Sequence, residues 1–459
     1  MFYRFTAQGN HHLTMARKRS LANRLRALEE SQWWSPERLR ESSWRKVQDL
    51  LAHAYNRVPY YREIFKKAGG HPNDVRTPKD FQKFPILTKA AIQRGLDSLI
   101  ATGVDRQNLR KNHTGGSTGQ MLTFYQDRHY KMANTADKFL TYGMCGYRPG
   151  DPWVIMRGID YGTRRGRWSK SAERLRFNLL RINTFDLDWK GVGDYAQALQ
   201  SFRPTLVVGY VSSLTLFADY IQQHGGLRIR PKAIQPTAEM LTEMQRRKLE
   251  TVFGCKALNR YGCREVGNIA QECEAHDGLH VLNQTTYLEI VDKQGTVLPP
   301  GQPGHIVVTN LTNYAFPLIR YSIGDVGIAA PDTRCACGRG MPRIDRIEGR
   351  AADIIVSPEG KLLHGEFFTH LFYGMPGVRQ FQVIQTTPRI LLIRIVKGAE
   401  FEEHRVIEQL RNVILEHGSP SFEIDFEFPE QIPVSASGKH RFTMSYLSPA
   451  EVFPAERIQ

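Results

Sequence analysis

The segment Thr114-Gly115-Gly116-Ser117-Thr118-Gly119 places three glycines and three hydroxyl side chains in six consecutive positions. Glycines let successive backbone N–H groups turn towards one anion, and hydroxyls add donors, so the chemistry available is a phosphate cradle. The lysine of the G-x-x-x-x-G-K-[ST] loop is missing and the G-x-G-x-x-G spacing is not met. Alone, such a segment also fits a surface turn. Tyr261-Gly262-Cys-Arg-Glu265 offers a carboxylate just after a turn, a hard oxygen ligand suited to Mg²⁺; a solvated glutamate reads the same way. Arg320-Tyr-Ser-Ile-Gly-Asp325 offers a carboxylate after a glycine turn, able to accept from two ribose hydroxyls, or simply to cap the turn. Ser437-Gly-Lys439-His-Arg441 offers a glycine-flanked lysine, a mobile point charge suited to phosphate. Cys335-Ala-Cys337-Gly sets two thiols on a tight turn, with Cys273, His276 and His280 upstream.

Regular elements must hold these segments in place. Ser35-Pro36-Glu37 is a helix start, with a capping hydroxyl, Pro at the first helical position and an acid near the positive helix end. Apolar residues at Trp44, Val47, Leu51, Ala54, Tyr55 and Val58 continue it as a helical stripe. From about 100 to 330, apolar β-rich runs at 152–156, 205–210, 287–292 and 304–311 alternate with helical patterns at 212–223 and 241–253, the latter ending at Gly254. The pattern predicts layered α/β with a later, more antiparallel section. After 346–356 it changes to a compact α+β unit: a helix near 365–373, a hairpin over 381–396, a helix over 401–416 and a strand over 422–428. The expected division is a large N-terminal domain over 1–348 and a small, mobile C-terminal domain over 349–459.

The chain has 459 residues, 41% of them hydrophobic and 24% charged, which excludes a wholly disordered protein. No apolar run reaches the roughly 20 residues a bilayer span needs, and the first 20 residues lack the apolar centre of a secretory leader. With six cysteines and no such leader, reduced thiols and a cytoplasmic location are expected. The net charge is +16, concentrated in residues 1–70 (14 Lys/Arg against 6 Asp/Glu) and 157–181 (8 against 2). Anionic cofactors, an anionic glycan, a membrane surface or a merely solvated basic face all fit. No helix-turn-helix, zinc-finger spacing or aromatic RNA-binding motif is present, so specific nucleic-acid binding is not expected.

Taken in order, the four segments resemble the adenylate-forming superfamily of acyl-CoA synthetases. The similarity is greatest to the phenylacetate–coenzyme A ligase branch, including its relatives from capsular-polysaccharide loci. "RVPYYREIFKKAG" (57–69), "FPILTK" (84–89), "PTAEML" (236–241), "DGLHV" (277–281), "CACGR" (335–339) and "GRAADII" (349–355) support the resemblance, which covers nearly the whole chain. It implies that Thr114–Gly119 wraps the ATP β,γ-phosphates, that Ala238-Glu239 lies against adenine and that Tyr261 and Gly262 flank the nucleotide. It further implies that Glu265 associates with Mg²⁺, that Asp325 binds the ribose and that Arg350 opens the hinge. Lys439, on the small domain, would contact the substrate carboxylate and the α-phosphate. The acyl pocket would be lined from 205–215 and 235–239, with Tyr210 and Tyr142 as walls. Relatives in this branch can carry a structural zinc, for which Cys273, His280, Cys335 and Cys337 match; His276 is the alternative histidine and Cys263 an outside candidate.

The implied reaction is ATP-dependent activation of a small carboxylic acid to an acyl-AMP, then thioester formation with coenzyme A. Two departures bear on it: the phosphate loop ends in Gln120-Met121, and Ala352 stands where the branch commonly has Asp or Lys. The alternatives are adenylation followed by transfer to an amine, a hydroxyl or a carrier-protein thiol, and a non-catalytic scaffold on an anionic surface. The sequence does not fix an oligomeric state; a dimer is compatible with it.

Overall fold

The computed structural model describes residues 15–113, 122–157, 177–183, 189–225, 228–350, 355–359, 362–363, 365–372, 375–433 and 442–447. Thr114–Gly119, Ala352 and Lys439 lie outside them, as does most of the basic 157–181 stretch; of Arg350 only the backbone is described.

Capping chemistry sets the helix ends that the sequence marks. Ser35 accepts from the Arg38 N–H at the head of the helix Pro36–Arg57. Thr242 and Gln245 form a reciprocal capping box on the helix Glu243–Phe253, which Gly254 ends in a left-handed conformation at φ 61°. The stripe expected on Pro36–Arg57 packs inward, with Val47, Leu51 and Ala54 buried.

The strands Arg110–His113 (β1) and Thr123–Gln126 (β2) pair antiparallel as a separate hairpin. Its connection is the segment that contains Thr114–Gly119. The central sheet then takes β3 (Trp153–Arg157), β4 (Leu179–Asn183), β5 (Leu206–Tyr210), β6 (Ala233–Thr237), β7 (Lys256–Ala257), β8 (Arg260–Cys263), β9 (Gly267–Glu272), β10 (Leu279–Val281), β11 (Thr286–Val291), β12 (Pro303–Asn310), β13 (Tyr321–Ala329) and β14 (Arg343–Arg350). Their order is β11-β12-β13-β14-β10-β9-β8-β6-β5-β3-β4, with β7 also on β6. Pairing is parallel from β4 to β8 and antiparallel from β8 to β11. The sheet therefore changes character at β8, as the passage from α/β to antiparallel β in the sequence anticipates.

Three hydrophobic clusters flank this sheet. One joins the helix Pro36–Arg57 to the antiparallel half through residues such as Leu50, Phe81, Phe316 and Ile344. A second packs the helices Met15–Ser31 and Arg128–Met144 on Trp153 and Val208. The third covers the opposite face through Val192, Phe217 and Phe253. Tyr142 belongs to the second: it is 1% exposed and packs against Tyr147 and Trp153. It is core, which corrects the expectation that it walls an acyl pocket.

Towards the C-terminus, β15 (Ile355–Val356) pairs with β16 (Leu362–Leu363). A four-stranded sheet is ordered β19 (Glu423–Glu427), β18 (Ile390–Lys397), β17 (Val378–Gln385) and β20 (Thr443–Ser445). Val383, Ile393 and Ile395 of that sheet pack on Leu410 of the helix Glu403–Val413 and on Phe368 of the helix Gly365–Phe372, a core of their own. Gly349 and Arg350, where the sequence pattern changes, still pair with Val326 and Asp325. The central sheet thus runs up to Arg350.

Candidate active site

Ligands of open α/β sheets bind beyond the carboxyl ends of strands where the order switches. Here that place lies beyond β6 and β8, which meet through the Thr237–Arg260 pair, with Arg260 Nε and Nη2 both donating to Thr237 Oγ1. Ala238 follows β6 in a left-handed conformation at φ 68°. That geometry costs an alanine roughly 1–2 kcal/mol and turns the Ala238-Glu239 segment sharply off the sheet.

The β8–β9 hairpin carries the next residues. Gly262 is required as glycine, because a Cβ there would lie 2.4 Å from the Gly267 carbonyl oxygen. Gly267 has φ 92° and abuts Asn134, whose Oδ1 accepts from the Asn268 N–H and Nδ2. The hairpin is therefore clamped to the helix Arg128–Met144. At its turn the Glu265 side chain is buried, and its Oε1 accepts from the Tyr321 hydroxyl at 2.8 Å. Burial and then the Glu265 charge push the Tyr321 phenol well up, so it remains a donor. Tyr261 in turn donates to Asp325 Oδ2 at 2.6 Å.

Asp325 does not follow a turn, which corrects the sequence expectation. Strand β13 runs through Gly324, at φ 91°, and Asp325 is itself paired with Arg350. Tyr321 and Asp325 stand on the same strand, with a break in the β12 register and the positive-φ Gly324 between them.

The β1–β2 hairpin is tied to the same turn. Arg264 Nη1 donates to the His113 carbonyl at 2.9 Å, and Gln126 Nε2 donates to the Arg264 carbonyl at 3.0 Å. The base of the Gly/Ser/Thr segment and the turn bearing Glu265 are thereby joined, although some 150 residues separate them in sequence.

Elsewhere, Cys273, His280, Cys335 and Cys337 bring one ligand atom each to within 4.8 Å of one another. Cys273 follows β9, His280 lies in β10, and the other two sit between β13 and β14. Cys273 Sγ is 3.7 Å from Cys335 Sγ, and Cys337 Sγ is 3.4 Å from His280 Nε2. Four ligands at about 2.0–2.3 Å around a tetrahedral zinc lie about 3.3–3.8 Å apart, so the donor set fits that ion. Burial, then Arg339 and Arg343, hold His280 down at about 4, leaving its imidazole neutral. Burial pushes Cys273 up to about 12; for Cys337, burial raises the value, but hydrogen bonds from Arg339, Cys335 and Cys273 together hold it below the usual thiol range. His276 stands apart at φ 52°, beside Arg246, Glu272 and Glu250. Cys263 is also apart, on the Glu265 turn, where burial and that carboxylate keep its thiol protonated. Between the two histidines, geometry selects His280.

Over 335 residues the chain is 30% identical to the phenylacetate–coenzyme A ligase of Escherichia coli (strain K12), covering 70% of this chain and 73% of that protein. The chain belongs to the phenylacetate–coenzyme A ligase family. The Pseudomonas putida phenylacetate–coenzyme A ligase is 29% identical over the same share of both chains. Protein CapK of Staphylococcus aureus is 25% identical over 84% of each, and the CapK C-terminal domain family matches residues 355–446. Among solved structures, 2-hydroxyisobutyryl-CoA ligase in the postadenylation state with R3-HIB-AMP superposes with a TM-score of 0.69 at 19% identity, covering 90% of this chain and 91% of that one. The fold is that of an adenylate-forming ligase.

Within the phenylacetate–coenzyme A ligase family fold, the structure adds residues that the motifs alone do not single out. Tyr321 stands inside a quoted motif, but no periodicity singles it out, because the β12 register breaks between Tyr321 and Asp325. Arg264 and Gln126 carry no such signal, since their bonds join segments far apart in sequence. Arg320, 1% exposed, is structural: it pairs with Glu289 and donates to the Gln82, Phe84 and Gly295 carbonyls, fixing the "FPILTK" connector.

Proposed function

We propose that this member of the phenylacetate–coenzyme A ligase family activates a small carboxylic acid with ATP and passes the acyl group to coenzyme A. In the first half-reaction a carboxylate oxygen attacks the α-phosphorus and pyrophosphate leaves. In the second, the thiol sulfur attacks the acyl carbon, AMP leaves, and the thiol proton goes to solvent. The single observation that supports this most is the convergence of Tyr261–Asp325 and Tyr321–Glu265 beside the stem of the Gly/Ser/Thr hairpin. One carboxylate is set to accept from a ribose. The other is buried and hydrogen-bonded, and its oxygens would suit a hard divalent cation. Such a cation supplies electrostatic stabilisation of charge on the α-phosphate and pyrophosphate. Ala238-Glu239 supports an adenine-facing turn, and Lys439 is the cation proposed for the carboxylate and α-phosphate.

Residues 349–459 are proposed as the lid that brings Lys439 to the site and carries it away again, with Arg350 at its start. A structural zinc on Cys273, His280, Cys335 and Cys337 is proposed on the donor set, and its role is to pin β9 and β10 to the β13–β14 connection. Carboxylate-dependent exchange of labelled pyrophosphate into ATP, followed by CoA consumption across a panel of acids, tests the reading. Exchange without any CoA consumption would remove the thioester step.

That outcome would favour a second acceptor. That acceptor would be an amine, a hydroxyl or a carrier-protein thiol, as in polysaccharide modification; the chain is similar to CapK over 84% of its length. Among the described residues no helix is long and apolar enough to cross a membrane.

A further inference from the structure

We propose that Arg264 is the cation that the phosphate loop lacks: a positioning residue that also binds the polyphosphate of ATP. The inference rests on the nucleotide reading above and deepens it.

Charge balance raises the question. Glu265 and Asp325 place two carboxylates at a site meant for a tetra-anionic triphosphate, and one divalent cation offsets only part of that charge. The segment 114–121 contains no Lys or Arg. The cation proposed from the C-terminal region, Lys439, acts at the substrate carboxylate and α-phosphate. The proposed phosphate segment therefore offers no positive side chain of its own to the β,γ-phosphates, which depart together as pyrophosphate.

Arg264 meets the need by placement. It immediately precedes Glu265, and its side chain is exposed while that of Glu265 is buried. Its Nη1 donates to the carbonyl of His113, the last residue of β1 before Thr114. A guanidinium carries five N–H donors in a fixed fork, and this bond engages one of them. The contact therefore fixes the direction of the fork without exhausting it. Its backbone is fixed too, since Gln126 Nε2 binds the Arg264 carbonyl and Asn112 Nδ2 binds Gln126 Oε1 at 2.5 Å. His113 is held from the other side by its Nδ1 contact with Thr123 Oγ1 at 3.0 Å. Arg264 is thus pinned at main chain and side chain between the stem of the proposed phosphate loop and the proposed Mg²⁺ carboxylate. A lysine there would keep the charge but lose the bidentate fork that suits phosphate.

The test separates a polyphosphate contact from a scaffold role. Full-length wild type, Arg264→Met and Arg264→Lys are titrated calorimetrically with Mg·ATP and, separately, with AMP. The expected result is that Arg264→Met weakens ATP at least tenfold while AMP affinity changes less than twofold. Arg264→Lys should fall between. Equal weakening of both nucleotides would assign Arg264 to scaffolding alone, and unchanged ATP affinity would overturn the proposal. Should Arg264→Met fail to fold, the same ATP-to-AMP comparison on Arg264→Lys decides between these outcomes. A wild-type chain that binds neither nucleotide would overturn both this inference and the reading on which it rests. A chain that binds AMP and ATP but supports no carboxylate-dependent exchange would overturn the reaction and leave the Arg264 comparison decisive for binding.

Discussion

The hydroxyl of Tyr261 donates to Asp325 Oδ2 at 2.6 Å, across a sheet in which their strands are four positions apart. Neighbouring strands lie about 4.8 Å apart, so a flat sheet would separate β8 from β13 by roughly 19 Å. A tyrosine side chain cannot span that distance. The antiparallel half must therefore curl back on itself, and the Tyr321–Glu265 bond closes the same curl a short distance away. The curl brings the strands of the proposed ribose and metal ligands together, although Tyr261 and Asp325 lie 64 residues apart.

Because Tyr261 orients Asp325, Tyr261→Phe should leave the fold intact and weaken use of the ribose. A hydrogen bond to a charged group is worth about 1.5–3 kcal/mol, which corresponds to roughly a ten- to hundredfold loss in kcat/KM for ATP. With 2′-deoxy-ATP, one ribose contact is already missing, so the mutational loss should shrink. An equal loss with both nucleotides would show that Tyr261 does not act through Asp325.

Tyr321 and Glu265 should behave as one unit. Glu265→Gln should cut pyrophosphate exchange by two orders of magnitude or more and raise the Mg²⁺ concentration needed for half-maximal rate. Tyr321→Phe should raise that concentration with a smaller loss of rate. Residues in direct contact are non-additive, so the double variant should be little worse than Glu265→Gln alone. Additive losses in the exchange assay would place the two residues in separate roles.

What the sequence made legible follows from how local each cause is. Caps, such as Ser35 on Arg38 and Gly254 at the end of its helix, depend on a few adjacent residues and are readable. The apolar runs that mark β5, β11 and β12 are likewise local. Asp325 was legible as a residue but not in its setting, because a glycine at positive φ signals a turn and Gly324 instead lies inside a bulged strand. Tyr142 was misplaced because an aromatic at helical spacing reads the same whether it walls a pocket or packs on Trp153. The buried Arg320–Glu289 pair and the Arg264–His113 bond join segments 31 and 151 residues apart, and nothing in either local pattern announces them. The choice of His280 over His276 came from a family pattern; the physical reason appears only when β10 is paired with β9 and β14.

The cysteine–histidine cluster gives a metal prediction. If it holds zinc, the ion pins β9 and β10 to the turn at Cys335, and that turn in turn meets the N-terminal helices. Arg339 Nε donates to Gln32 Oε1, and the Gly340 N–H donates to the Gln32 carbonyl. Cys335→Ser should therefore lower metal content below one zinc per chain by elemental analysis and lower Tm by several degrees. A strong chelator should reproduce the Tm loss in wild type and not in the variant. Wild-type protein with no bound transition metal and a chelator-insensitive Tm would remove zinc from the account.

A buried carboxylate outside the site should make stability depend on pH. Asp137, fully buried on the helix Arg128–Met144, is pushed up to about 7 by burial, against the opposing pull of Thr285, Arg24 and Lys46. Lys46 is pushed down to about 8, first by burial and then by Arg24. An unfolded aspartate titrates near 3.8. The folded state therefore holds the proton more tightly, and the unfolded chain releases it first as pH rises. The contribution is favourable to folding below about pH 4 and is lost as pH rises towards 7. Lys46 has the opposite sense: its depressed value favours the folded state above about 10.5, and that contribution is lost as pH falls through about 8. Asp137→Asn removes the first effect and keeps a neutral group of similar shape. Its Tm relative to wild type should rise between pH 5 and pH 8, with catalytic parameters at saturating substrate little changed. A Tm difference that stays constant across that range would mean that Asp137 titrates normally and that its burial is compensated by the cations around it.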